Sequence, residues 1–260
     1  MTSSNLPSST QAEQHLEYKE TEFESLSREL TEKELELATL EYELSVFEER
    51  YARTVGFLFA ELDILDREIA RELYRLHPEE KYQQGFQRAE RKAKASQDAV
   101  NEKTNQGEKE TYIPTEEIKN LFRKVAKTIH PDLAINEAER AFRTVLMARA
   151  NEAYKNGDEQ ALEQILYEWD NRDEKSFFQE EESKEPNQLE RKIAQIKVRL
   201  EEINTRIREL KKSELYQLML KVEQADRDGR NLLSDMAKDL RGRLLDAQKL
   251  LDSLKLQERG

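Results

Sequence analysis

Between Pro7 and Pro78 the apolar residues recur in steps of mainly three and four: Leu16, Phe23, Leu26, Leu30, Leu37, Leu40, Leu44, Phe47, Tyr51, Val55, Leu58, Leu62, Leu65, Ile69 and Leu73. That spacing draws a single stripe along a helix, the pattern of a coiled-coil seam. Two consecutive steps of four, Phe47 to Tyr51 to Val55, read as a stutter where supercoiling relaxes. Gly56 follows and weakens the helix there. A second stripe begins after Pro186 with Leu189, Ile193, Ile196, Leu200, Ile203, Ile207 and Leu210. It blurs at Lys211 to Glu214, where a break near Lys212 is expected, and resumes at Leu218, Val222 and Ala225. Leu233, Met236, Leu240, Leu244, Ala247, Leu251 and Leu254 complete it, with Gly229 and Gly242 as weak points. The first arm is acidic and the second is basic, so matching stripes and opposite charges make them natural partners. Intramolecular antiparallel pairing and homodimerisation both satisfy that pattern.

Composition narrows the class further. Seven Gly and five Pro in 260 residues are too few for the many turns of a sandwich or barrel. Charged residues (38%) outnumber hydrophobic ones (37%), which favours long solvated helices over one large core. Zero cysteine excludes disulfides, Cys-zinc sites and thiol catalysis, and three histidines leave little material for a metal site. A net charge of −12 argues against general nucleic-acid binding. No apolar run is long enough to span a bilayer. The first ten residues are polar and uncharged, unlike a secretion signal, so the expected location is cytoplasmic.

The sequence therefore divides into a disordered N-terminus (1–10), a coiled-coil arm (11–78), a polar basic linker (79–112), a helical middle segment (113–170), a second linker (171–185) and a second coiled-coil arm (186–260). Residues 79–112 have almost no apolar periodicity and read as a solvated helix or flexible linker. Their basic run, Arg88, Arg91, Lys92 and Lys94, leaves nucleic-acid binding as a remote option. Phe177 and Phe178 mark a small apolar anchor in the second linker. His77-Pro78-Glu79 reads as a terminator of the first arm, without a helix behind it.

The middle segment carries the most specific pattern. Thr115 is a candidate cap, with Glu116 and Glu117 at the positive end of the helix dipole. Ile118, Leu121, Phe122, Val125 and Ile129 form one apolar face, and Lys119, Arg123, Lys124 and Lys127 make the opposite face basic. Pro131 ends this helix at His130. Asn136 with Glu139 reads as a capping box. Phe142, Val145, Leu146, Ala150 and Ala153 then form an apolar face, and Asn156-Gly157 stops the helix. Asp158 caps a third helix whose Leu162, Ile165, Leu166 and Trp169 face inward. The first two helices make an antiparallel hairpin joined by an exposed connection.

Phe122-Arg123-Lys124-Val125-Ala126, then His130-Pro131-Asp132, then Asn151-Glu152-Ala153-Tyr154 resemble the J domain of the DnaJ co-chaperone family over roughly residues 113–170. The resemblance implies a small J-like helical hairpin module, which with the two apolar stripes gives the expected fold: all-α, with elongated coiled-coil arms flanking that module. It implies engagement of a DnaK-type chaperone through His130, Pro131 and Asp132, with Lys119, Arg123, Lys124 and Lys127 docking on an acidic surface and the contact stimulating the chaperone's ATPase. It also implies a structural core of Phe122, Val125, Phe142, Leu146, Asn151, Ala153 and Tyr154. The chain departs from the family by lacking a Tyr–Leu–Gly first helix. Either residues 80–112 or the helix at Asp158–Trp169 must then cover the hairpin. Leu133 and Ala134 also stand where family members often carry a basic residue. No nucleophile or orienting third group accompanies His130 and Asp132, so no catalytic residue, metal or cofactor is expected. The expectation is a co-chaperone or adaptor whose loop is solvent-exposed and contributes little to folding. The arms are expected to bind a client or a second copy. The competing expectation is a coiled-coil scaffold with a degenerate J-like hairpin that engages no chaperone.

Overall fold

A computed structural model describes residues 11–104, 112–172 and 188–257. The expected disordered N-terminus (1–10) and the Phe177–Phe178 anchor fall outside these residues. Among the described residues the fold is all-α, as the composition required: α1 (Gln11–Tyr51), α2 (Phe57–Leu76), α3 (Glu80–Thr104), α4 (Glu116–Ile129), α5 (Glu137–Asn156), α6 (Glu159–Asp170), α7 (Gln188–Lys212), α8 (Glu214–Arg227) and α9 (Leu232–Leu256). None of these helices is long and apolar enough to cross a membrane. The chain forms two compact units. The first holds α1 up to Tyr42 together with residues from Tyr112 to Lys211; the second holds Glu43–Thr111 and the chain from Lys212 onward. The division passes through both sequence-defined arms.

In the first unit, α1 and α7 are tied by ion pairs: Lys197 Nζ to Glu22 at 2.6 Å, Lys211 Nζ to Glu36 at 3.0 Å, Arg199 to Glu34 at 2.9 Å and Arg206 Nε to Glu41 at 3.4 Å. The acidic helix does face the basic one. The sequence separations are 175 for the first two and 165 for the last two. A separation that stays within five residues of a fixed offset defines parallel helices; antiparallel helices would hold the sum of the two numbers constant instead. Pairs five residues ahead of and behind the register are also what flanking charges form across a parallel two-stranded seam. The antiparallel option is thereby corrected for this part of the arms. Ile193, Ile196, Leu200, Ile203 and Ile207 of α7 are all buried, as their stripe requires.

The α4–α5–α6 module forms as its caps prescribe. Thr115 Oγ1 accepts from Ile118 N at 3.3 Å, Asn136 Oδ1 from Glu139 N at 2.9 Å and Asp158 Oδ1 from Ala161 N at 2.9 Å. Gly157 closes α5 at φ 69°, a left-handed conformation that L side chains rarely adopt. A Cβ there would meet the Tyr112 ring at 3.0 Å. The module's core holds Ile118, Phe122, Val125, Ile129, Leu146, Ala153 and Tyr154 with Leu162, Ile165 and Trp169 of α6. Phe122 and Tyr154 meet at 4.8 Å between ring centroids. Phe142 is only partly buried and stacks instead on Trp169 at 6.3 Å. Val145 is 58% exposed, and Asn151 is exposed as well, so neither belongs to the core expected of them. The reason is angular. The buried positions Leu146, Ala150, Ala153 and Tyr154 hold one stripe of α5, and Val145 and Asn151 fall off it.

The outer face of the α4–α5 hairpin is covered from two sides. One cover is α6, as the sequence allowed. The other is α1, which the sequence reading did not consider. Leu35 joins the same core and Ala38 packs on it. Thr39 Oγ1 shares a 2.8 Å hydrogen bond with Tyr154 Oη. Tyr42 Oη donates to Tyr112 O at 2.6 Å, and Tyr112 Oη donates to Tyr154 O. Burial pushes the Tyr112 phenol above its ordinary value, with Tyr154 and Tyr42 adding to the effect.

In the second unit, the stutter at Tyr51 and Val55 becomes a π turn, Ala52–Gly56, with Val55 fully buried. A π turn takes in an extra residue, so four-residue steps stay on one face. Gly56 sits at φ −58° in ordinary helical geometry. Residues 79–112, read as a polar linker, contain the 25-residue helix α3, which packs against α2. Its buried or half-buried positions are Tyr82, Phe86, Ala89, Ala93, Ser96 and Val100, in steps of four, three, four, three and four, while the other residues from 81 to 99 are exposed. The middle of this seam, Ala89, Ala93 and Ser96, is built of small residues. Small side chains let helices approach closely but barely register as hydrophobic periodicity. Asp63, buried on α2, accepts from Ser96 Oγ at 2.5 Å and pairs with Lys92 Nζ at 2.8 Å. One residue of the basic run is thus paired with a carboxylate of α2. His77–Glu79 is a three-residue turn, and a helix does follow it. The second arm breaks where its stripe blurs: α7 ends at Lys212 and Ser213 Oγ caps α8 by accepting from Tyr216 N at 3.2 Å.

Candidate functional site

The connection between α4 and α5 is built by His130 itself. Pro131 excludes helical geometry at His130, whose ψ is 133°. The following residues, Pro131–Leu133, close a 3-10 turn through Leu133 N to His130 O at 3.0 Å and Ala134 N to Pro131 O at 3.1 Å. The imidazole folds over this turn, and its Nδ1 accepts from Asp132 N at 3.1 Å. An accepting Nδ1 places the ring proton on Nε2. That nitrogen lies 3.0 Å from Glu34 Oε1 on α1, so it donates to the carboxylate.

The expectation of an exposed loop is overturned here. His130 is 3% exposed and Glu34 4%. The Glu34 oxygen that receives His130 also accepts from Arg199 on α7, at 2.9 Å from Nε. Three segments distant in sequence thus converge on one carboxylate within the first unit. Burial pushes the Glu34 carboxyl up, but the hydrogen bond from His130 and the charge of Arg199 outweigh it and hold it below the ordinary carboxylate range. Burial alone would pull the Arg199 guanidinium down; Glu34, with help from Glu202, holds it above its usual value.

A second buried ion pair braces the loop from the other side. Arg143 on α5 donates to Thr128 O at 2.9 Å and to His130 O at 3.2 Å, and its Nε donates to Glu139 Oε1 at 2.9 Å. Its guanidinium lies 4.2 Å from the centre of the Trp169 ring. Burial draws the Arg143 pKa down against the support of Glu139. The other Glu139 oxygen accepts from Ile135 N at 2.8 Å. The end of α4, the loop and the start of α5 are therefore fastened by buried polar contacts, each of which would be costly to leave unmade.

The remaining predicted contact residues stand differently. Pro131 and Asp132 are half-buried, and Asp132 lies 3.9 Å from Arg140. Lys119 pairs with Glu116 at 3.0 Å, and Arg123 pairs with Glu32 of α1 at 3.0 Å. Lys124 and Lys127 are exposed. The basic face thus survives in two of its four members, while Arg123 is spent on α1. Asn151 lines a cavity of about 440 Å³ with Glu34, Glu41 and Arg199. Among the described residues no group of three or more His, Asp or Glu is placed to hold a metal ion.

Sequence reasoning missed Glu34, Arg199 and Arg143, and read Glu139 only as the partner of the Asn136 cap. For Glu34 a signal was present. The seam steps from Leu30 to Leu37, and Glu34 occupies the position between them, four after one and three before the other. A carboxylate on an apolar stripe demands a buried partner. Comparison of the chain with protein-family models, curated proteins and solved structures gives no match.

Proposed function

We propose that the chain is a helical scaffold, not an enzyme, in which the J-like hairpin serves as a structural module closed over by the flanking helices α1 and α7. The observation that carries this reading is the burial of His130 with both ring nitrogens engaged, one by Asp132 N and one by Glu34. A chaperone recognised through that side chain would have to displace Glu34 first, leaving a buried carboxylate facing Arg199 alone. The polar braces around the loop support a load-carrying turn over a free contact surface. The co-chaperone reading keeps one specific support: Lys124 and Lys127 remain exposed on α4 beside a His130-Pro131-Asp132 turn of the right sequence.

The test is stimulation of a purified DnaK-type ATPase by the full-length chain. The scaffold reading expects no stimulation by the wild-type protein. Stimulation that disappears in His130→Gln overturns it and establishes the co-chaperone reading in its place.

A further inference from the structure

At the loop, α1, α4 and Leu133 line a half-open cavity of about 650 Å³, within the range of small-molecule sites. Its apolar wall is formed by Phe23 and Leu133, and its cations are Arg28, Arg123, Lys124 and Lys127. Glu24 and Glu32 also line it; Glu32 is taken by Arg123. Among the described residues, Arg28, Lys124 and Lys127 enter no ion pair, whereas Lys119, Arg123, Arg140, Arg143, Arg149 and Arg199 of the same unit all do. In a chain with 55 acidic and 43 basic residues, carboxylates are plentiful, so three uncompensated cations around one cavity are not explained by scarcity of partners. A second observation lies in the same wall. Ser27 Oγ is the one buried side-chain polar atom among the described residues without a hydrogen-bond partner. One χ1 rotation re-aims that hydroxyl.

We infer that this cavity binds an organic phosphate with a planar or apolar body, the phosphates held by Arg28, Lys124 and Lys127 and the body lying against Phe23 and Leu133. The cations supply charge-assisted hydrogen bonds to the phosphate oxygens. Phe23 is the aromatic side chain of the lining, the residue type on which nucleobases stack. Neither wall depends on whether His130 ever meets a chaperone, so the inference stands apart from the scaffold reading.

The experiment is calorimetric titration of the full-length chain with ATP, and with tripolyphosphate as the headgroup alone, at matched ionic strength. Wild-type protein should bind ATP saturably. The double variant Lys124→Gln, Lys127→Gln should weaken ATP at least about tenfold, while Lys155→Gln, an exposed cation elsewhere in the unit, should leave it unchanged. Phe23→Ala should weaken ATP and spare tripolyphosphate. Thermal melts of each variant verify that the fold is intact. Absence of saturable ATP binding, or binding untouched by the double variant, overturns the inference. Binding of polyglutamate through Lys124 and Lys127 without binding of ATP overturns it in favour of an acidic protein partner.

Discussion

Replacing Glu34 by Ala tests whether the loop is truly held. The change deletes the acceptor of the His130 Nε2–H at 3.0 Å and leaves that donor in a site where His130 is 3% exposed. A buried hydrogen bond to a charged acceptor contributes about 1.5–3 kcal/mol. The Arg199 side chain is 37% exposed and regains water when its partner is lost, so its share is under about 1 kcal/mol. The expected loss is therefore about 2–3 kcal/mol, or roughly 4–10 °C in the melting of the first unit. Glu34→Gln keeps an acceptor for His130 and should lose about half as much. Because the folded carboxyl titrates below its ordinary value, its contribution is fully present above the ordinary carboxylate range and fades as pH falls through the folded value. The wild-type advantage over Glu34→Gln should accordingly be largest near neutrality and vanish in strong acid. Circular-dichroism melts across pH measure this. If Glu34→Ala melts within about a degree of wild type at pH 7, the carboxylate holds nothing and the burial argument for His130 fails.

Phe122→Ala empties a fully buried site against Tyr154 and should cost about 3–5 kcal/mol in denaturant unfolding. Gly157→Ala forces a left-handed φ and presses a Cβ on the Tyr112 ring, so it should lower stability by at least about 1–2 kcal/mol, which the same unfolding measurement reads. Reversing Glu36 to Lys should lower the melting temperature at low salt, and adding Lys211→Glu should restore it if the two helices run parallel in the observed register. His130→Gln, expected from the sequence to be silent in folding, should instead lower the melting temperature, because both of its ring contacts are made inside the protein.

Local chemistry made much of this protein legible in its sequence. Thr115, Asn136, Asp158 and Gly157 bound their helices where the residue types predict, because a cap answers to its own few neighbours. The stripe of α7 and its break at Lys212 likewise follow from side chains a turn apart. Even the π turn at Ala52–Gly56 was announced by two steps of four. The tertiary structure decided what distance in sequence conceals. Glu34, His130 and Arg199 meet across separations of 96 and 165 residues. An exposed motif residue and a buried one carry the same letter, and burial depends on which helix arrives to cover it. The α3 seam hid for a different reason: Ala89, Ala93 and Ser96 bury little apolar area each, so their value lies in the close approach they allow to α2. The direction of α7 along α1 was equally undetermined, because matching stripes and opposite net charges fit either direction. Only the individual pairs, five residues to either side of one register, distinguish parallel from antiparallel.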